Sequence, residues 1–195
     1  PTIYNIETTN ACNMTCVFCP RTTLMTRGIE HLDENVSETI VDQIKPWSDT
    51  EWSEWENFVV KEYGIEKDAM DQNHFFLHII PKVIVLHGFG DPLLDKKLAS
   101  RIRMLTDKGI GSYFSCNPSN ISVKKNIEMM EAGLDYLKYS IDSIDDMTHK
   151  ELRGRASNYT NAFKKIMETL KEKERRHLKT NIVITMIDLQ RPTQM

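Results

Sequence analysis

Lys82-Val83-Ile84-Val85-Leu86-His87-Gly88-Phe89-Gly90-Asp91-Pro92 changes character halfway along. The first half is β-branched and almost continuously apolar, which suits a parallel strand covered on both faces. The second half is glycine, acid and proline, the chemistry of a turn. A helical pattern over 94–108 follows, so the stretch reads as one strand–loop–helix unit.

The same alternation runs in both directions. Upstream, 2–8 reads as a first strand and 35–44 as a helix with Val36, Ile40, Val41 and Ile44 on one stripe. Downstream come a strand over 111–115, a helix over 123–132 closed by Gly133 as its C′ glycine, and a strand over 135–141. A helix over 159–174 and a fifth strand over 181–187 complete the series before Pro192. Repeated strand and helix predict an α/β fold, a partial (β/α) barrel of parallel strands with right-handed crossovers. Functional loops then belong past the C-terminal strand ends. The unusual motifs fall there: a cysteine loop after the first strand, Gly88 to Pro92 after the second, Cys116-Asn117-Pro118 after the third and Asp142 ending the fourth.

An interruption over about 46–81 holds all three tryptophans, Trp47, Trp52 and Trp55, with Phe75 and Phe76. An inserted helix over 50–63 would put Trp52, Trp55, Phe58 and Val59 on one side. These aromatics either dock on the barrel exterior or form a surface for a partner or peptide.

The cysteine loop reads Cys12-Asn13-Met14-Thr15-Cys16-Val17-Phe18-Cys19. Three thiolates can converge on one metal centre but cannot complete a four-cysteine site, so one position stays open for chemistry. A zinc site wants a fourth ligand, and His31 stands alone. A disulfide loop wants a secreted context, and residues 1–7 show no basic-then-apolar pattern. The fourth cysteine, Cys116, reads as a small buried thiol or, less readily, a hydrogen-atom donor.

The 195 residues suffice for one core. A net charge of −3 gives no global field toward nucleic acid or anionic membrane. No apolar run approaches the roughly 20 residues that span a bilayer. Clustered thiols suit a reducing compartment, so a cytoplasmic protein is expected, with no nucleic acid and no membrane as partner.

The three-cysteine spacing with Phe18 before the last cysteine resembles the radical S-adenosylmethionine (radical SAM) superfamily, and the resemblance extends over nearly the whole chain. It implies a metal-binding oxidoreductase or maturase. A [4Fe–4S] cluster on Cys12, Cys16 and Cys19 would bind S-adenosyl-L-methionine and form a 5′-deoxyadenosyl radical, which abstracts hydrogen from a peptide or small-molecule substrate. A reductant such as flavodoxin or ferredoxin is implied. Phe18 matches the aromatic residue beside the adenine. Gly88, Phe89, Gly90 and Asp91 match a glycine-rich motif that usually ends Gly-Glu-Pro. Asp91 would accept from the cofactor's amino group, with the carbonyls of Phe89 and Gly90 as alternatives because aspartate is shorter.

Asn117 matches an asparagine near the cofactor, or is a turn residue. Ser140 would approach the ribose or carboxylate. Arg153 would pair with the carboxylate, or is a surface helix arginine. Asp142 would bind ribose or substrate, or cap the next helix. His87 is a substrate contact or packing, and Met186 an adenine contact or core. Cys19-Pro20-Arg21 resembles members with a further C-terminal cluster domain. The family barrel has six units against five here, so the core domain over 1–195 is expected to be incomplete at its C-terminal end. The rival class is a non-catalytic iron–sulfur protein for electron transfer or sensing, which would need neither the glycine loop nor Arg153. A structural zinc module is a further alternative.

Overall fold

A computed structural model describes residues 4–69 and 72–190. Its helices begin with α1 (Arg21–Leu24), α2 (Glu34–Gln43), α3 (Asp49–Tyr63) and α4 (Gln72–His74). The last continues through a π-helical turn, Phe75–Ile79, and a 3₁₀ turn, Ile80–Lys82, into strand β1 (Val83–Val85). There follow α5 (Leu98–Asp107), β2 (Gly111–Cys116), α6 (Val123–Glu131), β3 (Tyr136–Ser140), α7 (Asp146–Arg153), α8 (Tyr159–Arg175) and β4 (Asn181–Thr185). The sheet order is β1-β2-β3-β4 and every pairing is parallel. Sequential parallel neighbours require a crossover between each pair, and the helices supply it. The expected α/β partial barrel forms.

Its first strand is reduced. Residues 2 and 3 lie outside the described residues, and only Asn5 forms a parallel bridge, to Val85. Ile6 donates to the Val85 carbonyl at 2.8 Å, and Val85 to Tyr4 at 2.8 Å. Beyond Ile6 the backbone bonds elsewhere, with Leu32 donating to Thr8 at 2.9 Å. The Glu7 carboxylate turns to accept from the Phe89 amide at 2.5 Å. The fifth predicted strand likewise stops at Thr185, because the Ile187 amide donates to Asp142 Oδ1 at 2.9 Å.

Alternation divides the sheet's faces. Phe114, Cys116, Leu137 and Tyr139 join Ile84, Leu98, Ile102, Leu105, Ala162 and Ile166 in the core beneath the helices. Each such leucine or isoleucine contributes about 1.5–3 kcal/mol by burial. The Tyr139 hydroxyl, in that core, accepts from Asn126 Nδ2 at 2.7 Å. Tyr113, Ser115, Tyr136, Lys138 and Ser140 alternate with these residues and therefore line the other, inner face. The register sets Tyr113 beside Tyr136 and Ser115 beside Lys138.

The insertion helix forms one residue earlier than expected. Ser48 and Glu51 make a capping box, and Gly64 ends the helix at φ +67. Trp47 and Trp52 pack at 4.5 Å, and Trp55 Nε1 donates to the Leu77 carbonyl at 2.9 Å. Docking is not confined to the exterior. Phe75 meets Tyr113 edge-on at 5.6 Å and Tyr136 at 6.4 Å, on the inner face near the N-terminal strand ends. The π turn that carries Phe75 thus closes the bottom of the partial barrel. No helix among the described residues is long and apolar enough to cross a membrane.

Candidate functional site

The cysteine loop is clamped from two sides. On one side Thr15 donates to the Arg153 carbonyl at 3.1 Å and Val17 to the Leu152 carbonyl at 2.9 Å. These are orphan carbonyls in the last turn of α7, so the loop satisfies them. Gly154 has φ +94, and a Cβ there would overlap Thr15 Oγ1. On the other side Asp91 donates its amide to the Ala11 carbonyl at 2.8 Å, and a Cβ on Gly90 would overlap the Thr9 carbonyl. The glycine loop's close approach is therefore to the cysteine loop itself. Gly88 approaches Glu7 in the same way.

All four cysteines are free; Cys16 is buried, Cys12 and Cys19 half-buried. Burial pushes the Cys16 thiol up to about 11, against the opposing pull of Arg153, and raises Cys12 as well. Thiols that resist ionising alone become ligands when a metal displaces their protons. Among the described residues no three His, Cys, Asp or Glu side chains gather on one metal-ion position. A cuboidal iron–sulfur cluster does not ask for that, since each cysteine takes its own iron. Three free thiols on one short, clamped loop fit such a cluster.

Arg153 lies beside this loop. Its guanidinium sits 5.4 Å from the Phe18 ring centroid, and Nη1 is 3.9 Å from Cys16 Sγ. It forms an ion pair with Asp142, both side chains being almost fully buried. Arg153 Nε is buried without a hydrogen-bond partner. Arg153 is therefore no surface helix arginine. Nor is Asp142 the cap of α7: Asp145 is, accepting from the Thr148 amide at 2.8 Å.

Asp91 is buried and accepts from the Leu93 amide at 3.0 Å, Asn120 Nδ2 at 2.8 Å and the Asn117 amide at 3.4 Å. Burial still pushes its carboxyl up to about 6. Asn117 makes the expected turn and also reaches the cysteine loop. Its Oδ1 accepts from the Ser119 amide at 2.9 Å, making the turn, while its Nδ2 reaches Asn13 Oδ1 at 3.3 Å and lies 3.8 Å from Cys12 Sγ.

On the inner face Ser140 Oγ lies 3.1 Å from Ser115 Oγ. His87 is there too, its Nδ1 accepting from the Ser115 amide at 3.0 Å. Phe89 is partly exposed, with the Arg27 guanidinium 5.7 Å from its ring centroid. Cys116 belongs to the core beneath the helices rather than the barrel mouth, and burial raises its pKa well above the ordinary value. Met186 is 49% exposed, so it is not core packing. Sequence reading missed Asn13, Ser119 and Asn120 around the cysteine loop and Lys138 on the wall. Lys138 did carry a signal: a cation at the inner phase of a strand whose other phase is Leu137 and Tyr139.

The family model of the Radical SAM superfamily matches residues 6–188. A probable GTP 3′,8-cyclase of Sulfolobus acidocaldarius is 26% identical over 186 residues, covering 92% of this chain and 46% of that protein. The chain thus spans about half the length of the curated relative it matches. A crystal structure of BtrN in complex with AdoMet and 2-DOIA superposes with a TM-score of 0.54 at 15% identity, over 92% of this chain and 55% of that one. Methylornithine synthase (PylB) gives 0.57 at 10% identity, over 93% and 43%. At such identities these structures share the fold.

Proposed function

The chain belongs to the radical SAM superfamily, and we propose that it reductively cleaves S-adenosylmethionine at a [4Fe–4S] cluster held by Cys12, Cys16 and Cys19. The superfamily uses both cofactors. The observation that carries the reading is the three-thiol loop locked between α7 and the glycine loop, with an ionisable carboxyl on one flank and a partly unspent guanidinium on the other. When bound, the cluster and S-adenosylmethionine supply a 5′-deoxyadenosyl radical that takes hydrogen from a peptide or small-molecule substrate.

The chain's own residues bind and orient. Asp91 is costly to ionise as it stands, and an ammonium beside it would repay that cost, so it suits the amino end of the cofactor. The Phe89 and Gly90 carbonyls are the alternative contacts for the same group. Arg153 keeps donor capacity for a carboxylate, and Asp142 holds it in place. Phe18 offers a ring for the adenine, and Ser140 a hydroxyl toward the ribose. Asn117 braces the Cys12 side. Electrons come from an external reductant of the flavodoxin or ferredoxin class.

Anaerobic reconstitution, followed by iron and sulfide analysis, Mössbauer spectroscopy and detection of 5′-deoxyadenosine, tests this. Cys16→Ala should abolish bound iron and cofactor cleavage, whereas Cys116→Ala should preserve both. A fully occupied, air-stable zinc site would end the proposal. A cluster that never yields 5′-deoxyadenosine would move the chain to electron transfer or sensing.

A further inference from the structure

We propose that the inner wall below the cysteine rim, formed by Lys138, His87 and Ser115, binds an anionic oxyacid group of the substrate, a carboxylate or a phosphate. This rests on the reading above, in that it assigns the rim to the cofactor and the wall to the substrate.

The argument starts from Lys138. Strand alternation and the pairing of Ser115 with Lys138 put it on the inner face. The side chain is half-buried, with Nζ 6.0 Å from the Tyr113 ring centroid. Among the described residues its ammonium has neither an ion pair nor a hydrogen bond. The carboxylate on the same side, Asp142, already pairs with Arg153. Burial, followed by repulsion from Arg153, lowers the Lys138 pKa against a smaller pull from Asp142, so the cation is held there at a cost. A β-branched residue would serve the sheet better. A half-buried charge without a counterion calls for a ligand to supply one.

The neighbouring groups agree in polarity. The His87 ring lies 5.2 Å from the same Tyr113 ring. Its Nδ1 accepts the Ser115 amide hydrogen, which fixes the proton of the neutral ring on Nε2. Burial, with Lys138 second, pushes the His87 pKa down to about 4, so the ring is neutral at physiological pH and Nε2–H is a donor. The Ser115 and Ser140 hydroxyls, 3.1 Å apart, can supply one more donated hydrogen between them. An ammonium and an imidazole N–H beside one aromatic ring, with a serine hydroxyl on the same face of the sheet, make a patch dominated by donors. That is complementary to oxyanion oxygens. Phe75 and Tyr136 form the floor below it, so an anionic end seated here leaves the rest of the substrate toward the rim.

The test is calorimetric titration of the anaerobically reconstituted chain, with S-adenosylmethionine present, using inorganic phosphate, pyrophosphate and malonate as probes. Lys138→Met keeps length and removes charge; Lys138→Arg keeps charge. The expected result is millimolar binding of at least one probe, about tenfold or more weaker in Lys138→Met and largely retained in Lys138→Arg. S-adenosylmethionine affinity should be unchanged in both, and circular dichroism should show native folding. Preference for pyrophosphate over malonate assigns a phosphate, and the reverse a carboxylate. Equal probe affinity in wild type and Lys138→Met overturns the proposal, as does no binding at tens of millimolar. Repeating the titration on cluster-free chain separates the two readings. If no cluster forms but the Lys138-dependent binding persists, only the cofactor assignment has failed.

Discussion

The two ends of this partial barrel are built on opposite principles. At the C-terminal strand ends, polar groups are buried and bound across long sequence separations, and several are left with capacity to spare. Arg153 Nε has no partner, and the Asp91 carboxyl is held near neutrality. At the N-terminal ends, aromatic rings fill the space: Phe75 sits under Tyr113 and Tyr136, and the tryptophans pack on one another. Barrels of this kind place their chemistry at the C-terminal face and leave the other face to stability. The lower end of this chain should therefore change stability without changing ligand affinity, and the upper end should change both.

The largest stability effect should come from the top. Arg153→Ala strands a fully buried Asp142 carboxylate, and breaking a buried pair from one side costs about 3–5 kcal/mol. Urea unfolding of the cluster-free chain measures it. Lys82→Ala at the bottom removes a partly exposed bridge to Glu56 and should cost less than about 1 kcal/mol. Equal losses would erase the contrast. The double variant Arg153→Ala/Asp142→Ala should recover part of the loss, because the stranded charge is then gone.

Legibility in the sequence follows the range of the interactions. Strand β1 could be read because a strand buried on both faces must be apolar throughout, and β2 to β4 because they recur between helical patterns. The first strand over-read because 2–8 alternates well, while the bonds that end it come from Leu32 and Phe89. Helix α7 goes unread in the sequence apart from Arg153, although Asp145 and Gly154 bracket it as caps. The rim motifs were visible as residue types, but their partners were not. Asn13 meets Asn120 across 107 positions, and Cys16 meets Arg153 across 137. No local pattern records such contacts. The Phe75 floor was equally hidden, since an aromatic in an insertion carries no mark of the face it will reach.

That floor gives the middle-sized prediction. Phe75→Ala removes a half-buried ring from under Tyr113 and Tyr136. It should cost about 2 kcal/mol, below the roughly 3–5 expected of a fully buried phenylalanine. Iron content and S-adenosylmethionine affinity should stay at wild-type levels, read by sulfide-matched iron analysis and titration. A variant of ordinary stability that lost its cluster would show that the two ends are coupled.

The last effect is a pH dependence at Asp91, and its sign separates the two ends once more. The carboxyl titrates near its ordinary value of 3.8 in the unfolded chain and near 6 in the folded one, with burial as the main cause. Below 3.8 it is protonated in both states and costs nothing. Between 3.8 and 6 the unfolded chain ionises first, so folding loses stability as pH rises. Above 6 the whole cost, on the order of 3 kcal/mol, falls on the cofactor-free fold. Cofactor-free chain should therefore gain stability through this group as pH falls from 7 toward 4, a slope absent from Asp91→Asn. A cofactor ammonium reverses the preference because it binds the ionised carboxylate. Its affinity should then fall by about tenfold per pH unit below 6. His87, already neutral down to about 4, does not titrate in that window. Asp91→Ala should bind the cofactor more weakly by about 1–3 kcal/mol, with a flat profile between pH 5 and 7. A flat wild-type profile over the same range would transfer the contact to the Phe89 and Gly90 carbonyls.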